Sequence, residues 1–185
     1  MSIKISEEYK EQLKQIHSGT GKKMGWGLEP PAKLVETINQ YKPQTILDYG
    51  CGSGAMKDHM QDLYPTIKLD GYDPGMPEYQ TYPKTVDLIY STDVFEHIEP
   101  AHIDSTLRLL WQTAPVNFHK IACFPAKKKL PDGRNAHLII EEPEWWIEKI
   151  KSTLDSTCKL VYNKTILEYV KKRERKQLEV LIIKE

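Results

Sequence analysis

Apolar residues recur along this chain in two alternating rhythms. From about Glu7 to His17, Tyr9, Leu13 and Ile16 fall on one face, which predicts a short amphipathic helix. The glycine-rich stretch from Ser18 to Leu28 ends it. Pro30 and Pro31 open a second helix whose buried stripe is Leu34, Val35 and Ile38. Gln44 to Tyr49 is a short β run, Gly50 to Gly54 a turn, and Ala55 to about Tyr64 a helix with Met56, Met60 and Leu63 facing inward. Ile67 to Tyr72 and Val86 to Tyr90 are further strands. A helix starting at Pro100 buries Ile103, Leu107, Leu110 and Trp111, and His119 to Phe124 is a fourth strand. Glu141 to Glu144 open another helix, their carboxylates favoured by its dipole, with Ile147, Ile150 and Leu154 inward. Two last β runs, about Lys159 to Ile166 and Gln177 to Ile183, have no helical pattern between them.

Strands alternating with helices predict an α/β fold, a doubly wound and mostly parallel sheet covered on both faces. The terminal strand pair predicts an antiparallel hairpin closing one edge. Neither a repeat nor a low-complexity linker interrupts the pattern, so residues 1–185 read as one domain, with 1–29 as an N-terminal helix and glycine-rich arm.

Composition narrows the function classes. Of 185 residues, 39% are apolar and 28% charged, as in a globular domain. No apolar run reaches the roughly 20 residues of a membrane helix, and the N-terminus lacks the apolar core of a secretory signal. Cys51, Cys123 and Cys158 are odd in number and far apart, which fits neither a disulfide framework nor a zinc knuckle and points to a reducing, cytoplasmic setting. Lys plus Arg equals Asp plus Glu at 26 each, which argues against a dedicated nucleic-acid binder but leaves a local basic face open.

Strand, glycine turn and helix together are the physical recipe for a nucleotide site. Glycines remove side chains that would block the ligand, and helix N–H groups point at it. Gly50, Gly52 and Ala55 would even pass for a dinucleotide fingerprint. Asp48, just before the turn, would repel a pyrophosphate but suits an amino group or a sulfonium. Asp73 ends the next strand, where a carboxylate accepts hydrogen bonds from ribose hydroxyls. The expected ligand therefore has a ribose and a positive charge.

Three ordered motifs resemble those of the class I S-adenosylmethionine-dependent methyltransferases: Asp48 to Gly54, Gly71-Tyr72-Asp73-Pro74, and Val86 to Ile98. The resemblance covers nearly the whole chain from about Pro30, and the terminal hairpin matches that fold's reversed strand. It implies S-adenosylmethionine as cofactor and a methyltransferase of the small-molecule branch with a Rossmann-like fold. It also implies roles by position. Gly50, Cys51, Gly52 and Gly54 form the turn that the cofactor approaches, Cys51 being a small packing residue. Asp48 orients the methionine amino group. Asp73 holds the ribose, with Tyr72 and Pro74 beside it. Ser91, Thr92 and Asp93 line the methionine end. One departure stands out. Between Asp73 and Val86 the family places a helix and a strand, and here the segment is proline-rich and too short for both. The third strand is therefore expected to be missing, with Met76 or Tyr79 covering the adenine.

Asp93, Glu96 and His97 share one face if a helical turn begins at Asp93, and His137 lies in a polar connection that returns to the same rim. Glu96, His97 and His137 are the candidate catalytic residues. Three readings are open. A histidine acts as general base or orienting group. Carboxylates and histidines bind Mg, Mn or Zn to activate a hydroxyl. Or Glu96 caps a helix while His97 packs against the cofactor. The second arrangement is similar to metal-dependent RNA 2′-O-methyltransferases and ubiquinone-pathway O-methyltransferases, with Asp93 in place of a more usual Glu. No metal is assigned from sequence. Lys127 to Lys129 with Arg134 form a basic loop that allows for an anionic acceptor, while Lys171 to Lys176 read as an exposed hairpin turn. Met24, Trp26 and Leu28 could form a lid. A small-molecule acceptor is expected, a nucleic-acid one stays open, and the oligomeric state is not fixed. The rivals are a nucleotide-dependent oxidoreductase, which Asp48 opposes, and a non-catalytic cofactor-binding subunit.

Overall fold

The computed structural model describes residues 5–18, 29–170 and 173–185. Helix α1 spans Glu7–Ser18 and α2 spans Ala32–Tyr41. Strand β1 (Thr45–Tyr49) leads through the glycine turn into α3 (Ala55–Leu63), and β2 (Lys68–Tyr72) follows. Then come β3 (Leu88–Thr92), α4 (Ile103–Thr113), β4 (Val116–Ala122) and α5 (Pro143–Thr153). The chain ends in the hairpin β5 (Cys158–Val170) and β6 (Arg173–Lys184). The sheet has six strands in the order β2-β1-β3-β4-β6-β5. The first four are parallel, and β6 pairs antiparallel with both β4 and β5.

Alternation along the inner strands sends side chains to two cores. Leu47 and Ile89 face one side with Leu107, Trp111 and Trp146, under α4 and α5. Ile46, Leu88 and Tyr90 face the other with Leu34, Ile38 and Met60, under α2 and α3. This double cover is why the strand segments read as near-continuous apolar runs. It also places every parallel strand's C-terminal end on one rim, where such sheets bind ligands. Among the described residues, no helix is long and apolar enough to cross a membrane.

No strand forms between Asp73 and Val86, as expected; a 3-10 turn over Pro77–Tyr79 takes that place and leaves β2 at an edge. Tyr82 from the same segment packs edge-on against Tyr72, at 5.2 Å between centroids, and donates from its hydroxyl to Thr113 Oγ1 at 2.9 Å. Aromatic packing thus joins this segment to the core on the α4 side of the sheet.

Several boundaries differ from the sequence reading. Leu63 is 50% exposed because it is the last residue of α3. Helix α4 begins at Ile103 because residues 99–102 form a turn closed by the His102 N–H on the Glu99 carbonyl. Strand β4 starts three residues before His119 and ends before Phe124, which is freed for the rim. The charged run after Val170 is mostly strand rather than turn: cross-strand pairing continues through Glu168–Arg175 to Val170–Arg173. Of the two tryptophans in α5, Trp146 is fully buried near Phe95 and Trp145 is 36% exposed. Trp146→Ala is expected to lower the unfolding free energy by about 3–5 kcal/mol. Urea denaturation measures this, and a change under about 1 kcal/mol would show that the helix is not anchored there.

Candidate active site

The glycine turn is shaped by its neighbours. The Gly50 N–H donates to the Tyr72 carbonyl at 2.7 Å, which fastens the turn to the end of β2. Gly50 has φ of +78°, and a Cβ there would sit 2.5 Å from Val94 Cγ2. Only glycine tolerates both conditions. A Cβ at Gly52 would meet nothing within 4 Å, so backbone lies bare toward open space. Asp73 stands beside it: Oδ2 accepts from Gly52 N–H at 2.9 Å and Oδ1 from Gly75 N–H at 2.8 Å. Each oxygen keeps a second lone pair for a ligand hydroxyl.

Asp48 is 3% exposed, and its Oδ2 is buried without a hydrogen-bond partner. Burial raises its carboxyl from 3.8 to about 7, the Tyr90 hydroxyl nearby opposing the rise and the negative charge of Asp73 adding to it. A buried carboxylate oxygen left unpaired at the end of β1 fits a cationic ligand group, which would restore the charged form. The linkage has a definite sign. A carboxyl raised in the folded state stabilises the fold at low pH, and that contribution is lost as pH rises through about 7. Asp48→Asn is therefore expected to stabilise the ligand-free protein at pH 8 by ~1–3 kcal/mol while weakening cofactor binding. Thermal melts at pH 5 and pH 8, with and without cofactor, check both signs. A variant less stable at pH 8 would refute the unpaired-charge account.

The other half of the site follows β3. Asp93 has φ of +56°, a left-handed conformation that aspartate tolerates better than most residues. It turns the chain into a 3-10 segment, Phe95–His97. Glu96 is fully buried; Oε1 accepts the Ala122 N–H at 3.2 Å, and Oε2 has no partner. Burial, and then the charge of Asp93, holds the Glu96 carboxyl well above the usual carboxylate range. Its backbone carbonyl accepts from the N–H groups of Leu138 and Ile139, at 2.7 and 3.0 Å. Those two bonds draw the long connection after β4 onto this turn and deliver His137.

The two histidines meet edge to face, 4.7 Å between ring centroids. His97 Nδ1 bonds the Ala136 carbonyl at 2.7 Å, and His137 Nδ1 bonds the Phe124 carbonyl at 2.5 Å. A carbonyl can only accept, so in each ring Nδ1 carries the proton and Nε2 is the basic nitrogen. His137 Nε2 lies 4.0 Å from Glu96 Oε1. Burial lowers the His137 pKa, which favours the neutral imidazole. Donor atoms of Glu96, His97 and His137 all fall within 4.8 Å of one another. Asp93 stands outside that trio, with its own carboxyl raised by burial.

A single cavity of about 530 Å³ joins the two halves, from Asp48, Gly50 and Asp73 to His97 and His137. Cys51, Gly52, Pro74, Thr92 and Asp93 also line it. Ser91 does not: it is fully buried and bonded to His119 Nδ1 at 2.8 Å, because strand alternation points it away from Thr92. Tyr72 instead stacks on Tyr49 at 5.6 Å. Gly54 starts α3 and, like Gly71, lies under Tyr79, so Tyr79 covers the turn from outside the cavity. Met76 is half-buried beyond the lining.

Helix α1 covers the mouth. Ser6 donates from N–H and Oγ to Glu99, at 2.8 and 2.7 Å, and the Tyr9 hydroxyl donates to the His97 carbonyl at 2.6 Å. Its apolar face was legible in the sequence, but not what that face covers. Met24, Trp26 and Leu28, the suggested lid, lie outside the described residues. Lys127 and Lys128 of the basic loop line the cavity, whereas Arg134 turns to Asp132. Phe124, Arg175 and Gln177 also line it and carried no sequence signal: Phe124 comes free where β4 ends, and pairing of β6 with β4 brings Arg175 and Gln177 there.

A family model described as a methyltransferase domain matches residues 27–115. The matched segment holds Asp48, Asp73, Glu96 and His97 but stops before His137. No curated protein matches the sequence significantly. Among solved structures, a 1,6-didemethyltoxoflavin-N1-methyltransferase from Burkholderia thailandensis, bound to S-adenosylhomocysteine, aligns with TM-score 0.66 and 15% identity, over 100% of this chain and 92% of that one. The N-methyltransferase NodS from Bradyrhizobium japonicum, also bound to S-adenosylhomocysteine, aligns with TM-score 0.58 and 13% identity, over 95% and 98%. TehB from Haemophilus influenzae aligns with TM-score 0.54 and 15% identity over 84% of this chain, which spans 63% of TehB and 54% of another relative of the same fold. At these identities the likeness is one of fold.

Proposed function

We propose that this chain, which matches a methyltransferase-domain model over residues 27–115 and shares the fold of S-adenosylmethionine-dependent methyltransferases, is a class I enzyme of that kind that transfers a methyl group to an oxygen or nitrogen of a small molecule, with Glu96, His97 and His137 at the reacting end. The observation that carries this reading is the single cavity, with an unpaired buried carboxylate and bare glycine backbone at one end and two histidines with basic Nε2 atoms at the other. S-adenosylmethionine supplies the reactive methyl on its sulfonium. Asp48 receives the cationic methionine end, Gly52 exposes backbone to it, and Asp73 accepts from the ribose hydroxyls. Thr92 and Asp93 lie between the two halves.

The residues of the far half orient the acceptor and remove its proton. His137, kept neutral by burial, can take a proton at Nε2 as the acceptor attacks. The α1 cover and the apolar wall of Ile5, Tyr9 and Leu13 keep water from the reacting atoms. Much of the acceleration then comes from alignment of nucleophile and methyl. A cytoplasmic setting belongs to this proposal, since all three cysteines are free thiols.

A second reading is favoured by one observation. The trio of Glu96, His97 and His137 has the donor set of a divalent metal site, each histidine held by a backbone carbonyl through Nδ1. These residues would hold the ion, which would lower the pKa of an acceptor hydroxyl. Incubation with S-adenosylmethionine and a panel of phenols, catechols, amines and imidazoles should release S-adenosylhomocysteine with at least one acceptor class. Tight cofactor binding with no release for any acceptor would point instead to a non-catalytic binding subunit.

A further inference from the structure

The hairpin carries a feature that cofactor binding does not use. On β6, Arg175 and Gln177 are two residues apart, so they point to the same side of the strand, and both line the cavity. Their neighbours do otherwise: Lys176 pairs with Glu142 at 2.8 Å on the opposite side. The Arg175 guanidinium lies over the Phe124 ring, 4.9 Å from its centroid, and among the described residues it has no carboxylate within ion-pair distance. Glu168, directly opposite Arg175 in the hairpin, lines the same cavity but forms no ion pair with it. Gln177 is 6% exposed, and its Oε1 is buried with no hydrogen-bond partner.

A guanidinium held over an aromatic ring, with no ion-pair partner among the described residues, is a preformed fork for a planar anion. An orphaned amide oxygen one step further in calls for a hydrogen-bond donor from a ligand. The order along the wall is informative. Phe124 neighbours both Arg175, at 4.9 Å from its ring centroid, and His137, at 5.8 Å between rings, so the anion site lies one aromatic ring from the reacting end. Lys127 and Lys128 add two more cationic side chains to the lining, against the carboxylates of Glu168 and Asp93.

We propose that the acceptor is a small anion, held by its carboxylate or phosphate on Arg175 against Phe124, with a donor group on Gln177 and its nucleophile reaching His97 and His137. The inference rests on the methyltransferase reading and deepens it by naming the acceptor class and the residue that selects it. Arg175 selects the acceptor and takes no part in cofactor binding.

The test uses the complex with S-adenosylhomocysteine and four probes: 3-hydroxyphenylacetate, its methyl ester, 3-hydroxyphenyl phosphate and a single-stranded RNA oligonucleotide. Calorimetry should show at least one small anion binding about tenfold to a hundredfold more tightly than the ester, the range expected for a charged hydrogen-bonded pair. The tighter of carboxylate and phosphate identifies the natural anion. Arg175→Met should erase that preference while S-adenosylhomocysteine affinity stays unchanged, and Arg175→Lys should retain part of it. No preference for an anion in the native protein, preference persisting in Arg175→Met, or RNA binding more tightly than both small anions would overturn the proposal. Failure of the native protein to bind S-adenosylhomocysteine would instead strike the methyltransferase reading itself.

Discussion

Replacement of Asp73 by alanine is expected to weaken S-adenosylmethionine binding about a hundredfold. The carboxylate accepts from Gly52 and Gly75 N–H groups and keeps two lone pairs toward the cavity. Loss of two charge-assisted bonds to ribose hydroxyls is worth roughly 3 kcal/mol. The same change strands the Gly52 amide, so the glycine turn loosens as well. Asp73→Asn keeps one carbonyl acceptor and should lose less. Calorimetric titration with S-adenosylhomocysteine gives the affinities, and urea denaturation separates lost contacts from a lost fold. Unchanged affinity in a folded Asp73→Ala protein would sink the cofactor assignment.

Turnover should fall by about 10²–10⁴ in His137→Ala and in His97→Ala, assayed at saturating S-adenosylmethionine. Cofactor affinity should change little, because Asp48, Gly52 and Asp73, the residues proposed to hold the cofactor, stay intact. The pH profile has a worked sign. Burial lowers the His137 pKa below its ordinary 6.5, so the neutral base persists at neutral pH. Activity should be lost only as pH drops below that lowered value. If the histidines act as bases alone, a chelator leaves the rate unchanged, and Glu96→Gln is milder than either histidine variant. If they hold a metal, chelation abolishes turnover, Mn or Mg or Zn restores it, and Glu96→Gln is as severe as the histidine variants. Full turnover in both histidine variants would remove this trio from the mechanism and leave alignment as the source of rate.

The half of the cavity proposed for the cofactor was legible as a cluster because its logic is local. Asp48, the glycines and Asp73 sit at the ends of adjacent parallel strands, and strand-turn-helix geometry carries them to one place. The short interval before Val86 told of a missing strand by chain length alone. Ser91 shows the limit of local reading: it sits next to Thr92, yet strand alternation turns it to His119 and away from the cavity.

The acceptor half was only partly legible. Spacing put Glu96 and His97 together, whereas the arrival of His137 depends on two backbone bonds from Leu138 and Ile139 to the Glu96 carbonyl. Nothing in the residue types encodes those bonds. Asp93, grouped with the trio by spacing, stands apart because its left-handed backbone turns it out of the 3-10 segment.

By itself, then, the sequence determined the α/β class and the glycine turn with its two acids, since each depends on periodicity or on contacts across one turn. Tertiary structure alone decided what else lines the cavity. Arg175 lies within a run that reads as exposed charge and Gln177 opens the last β run, and they reach the cavity only because β6 pairs antiparallel with β4, with Gln177 opposite Ala122. Pairing of strands more than 50 residues apart is set by the whole sheet's burial of its two faces, and no local pattern of residues carries that information.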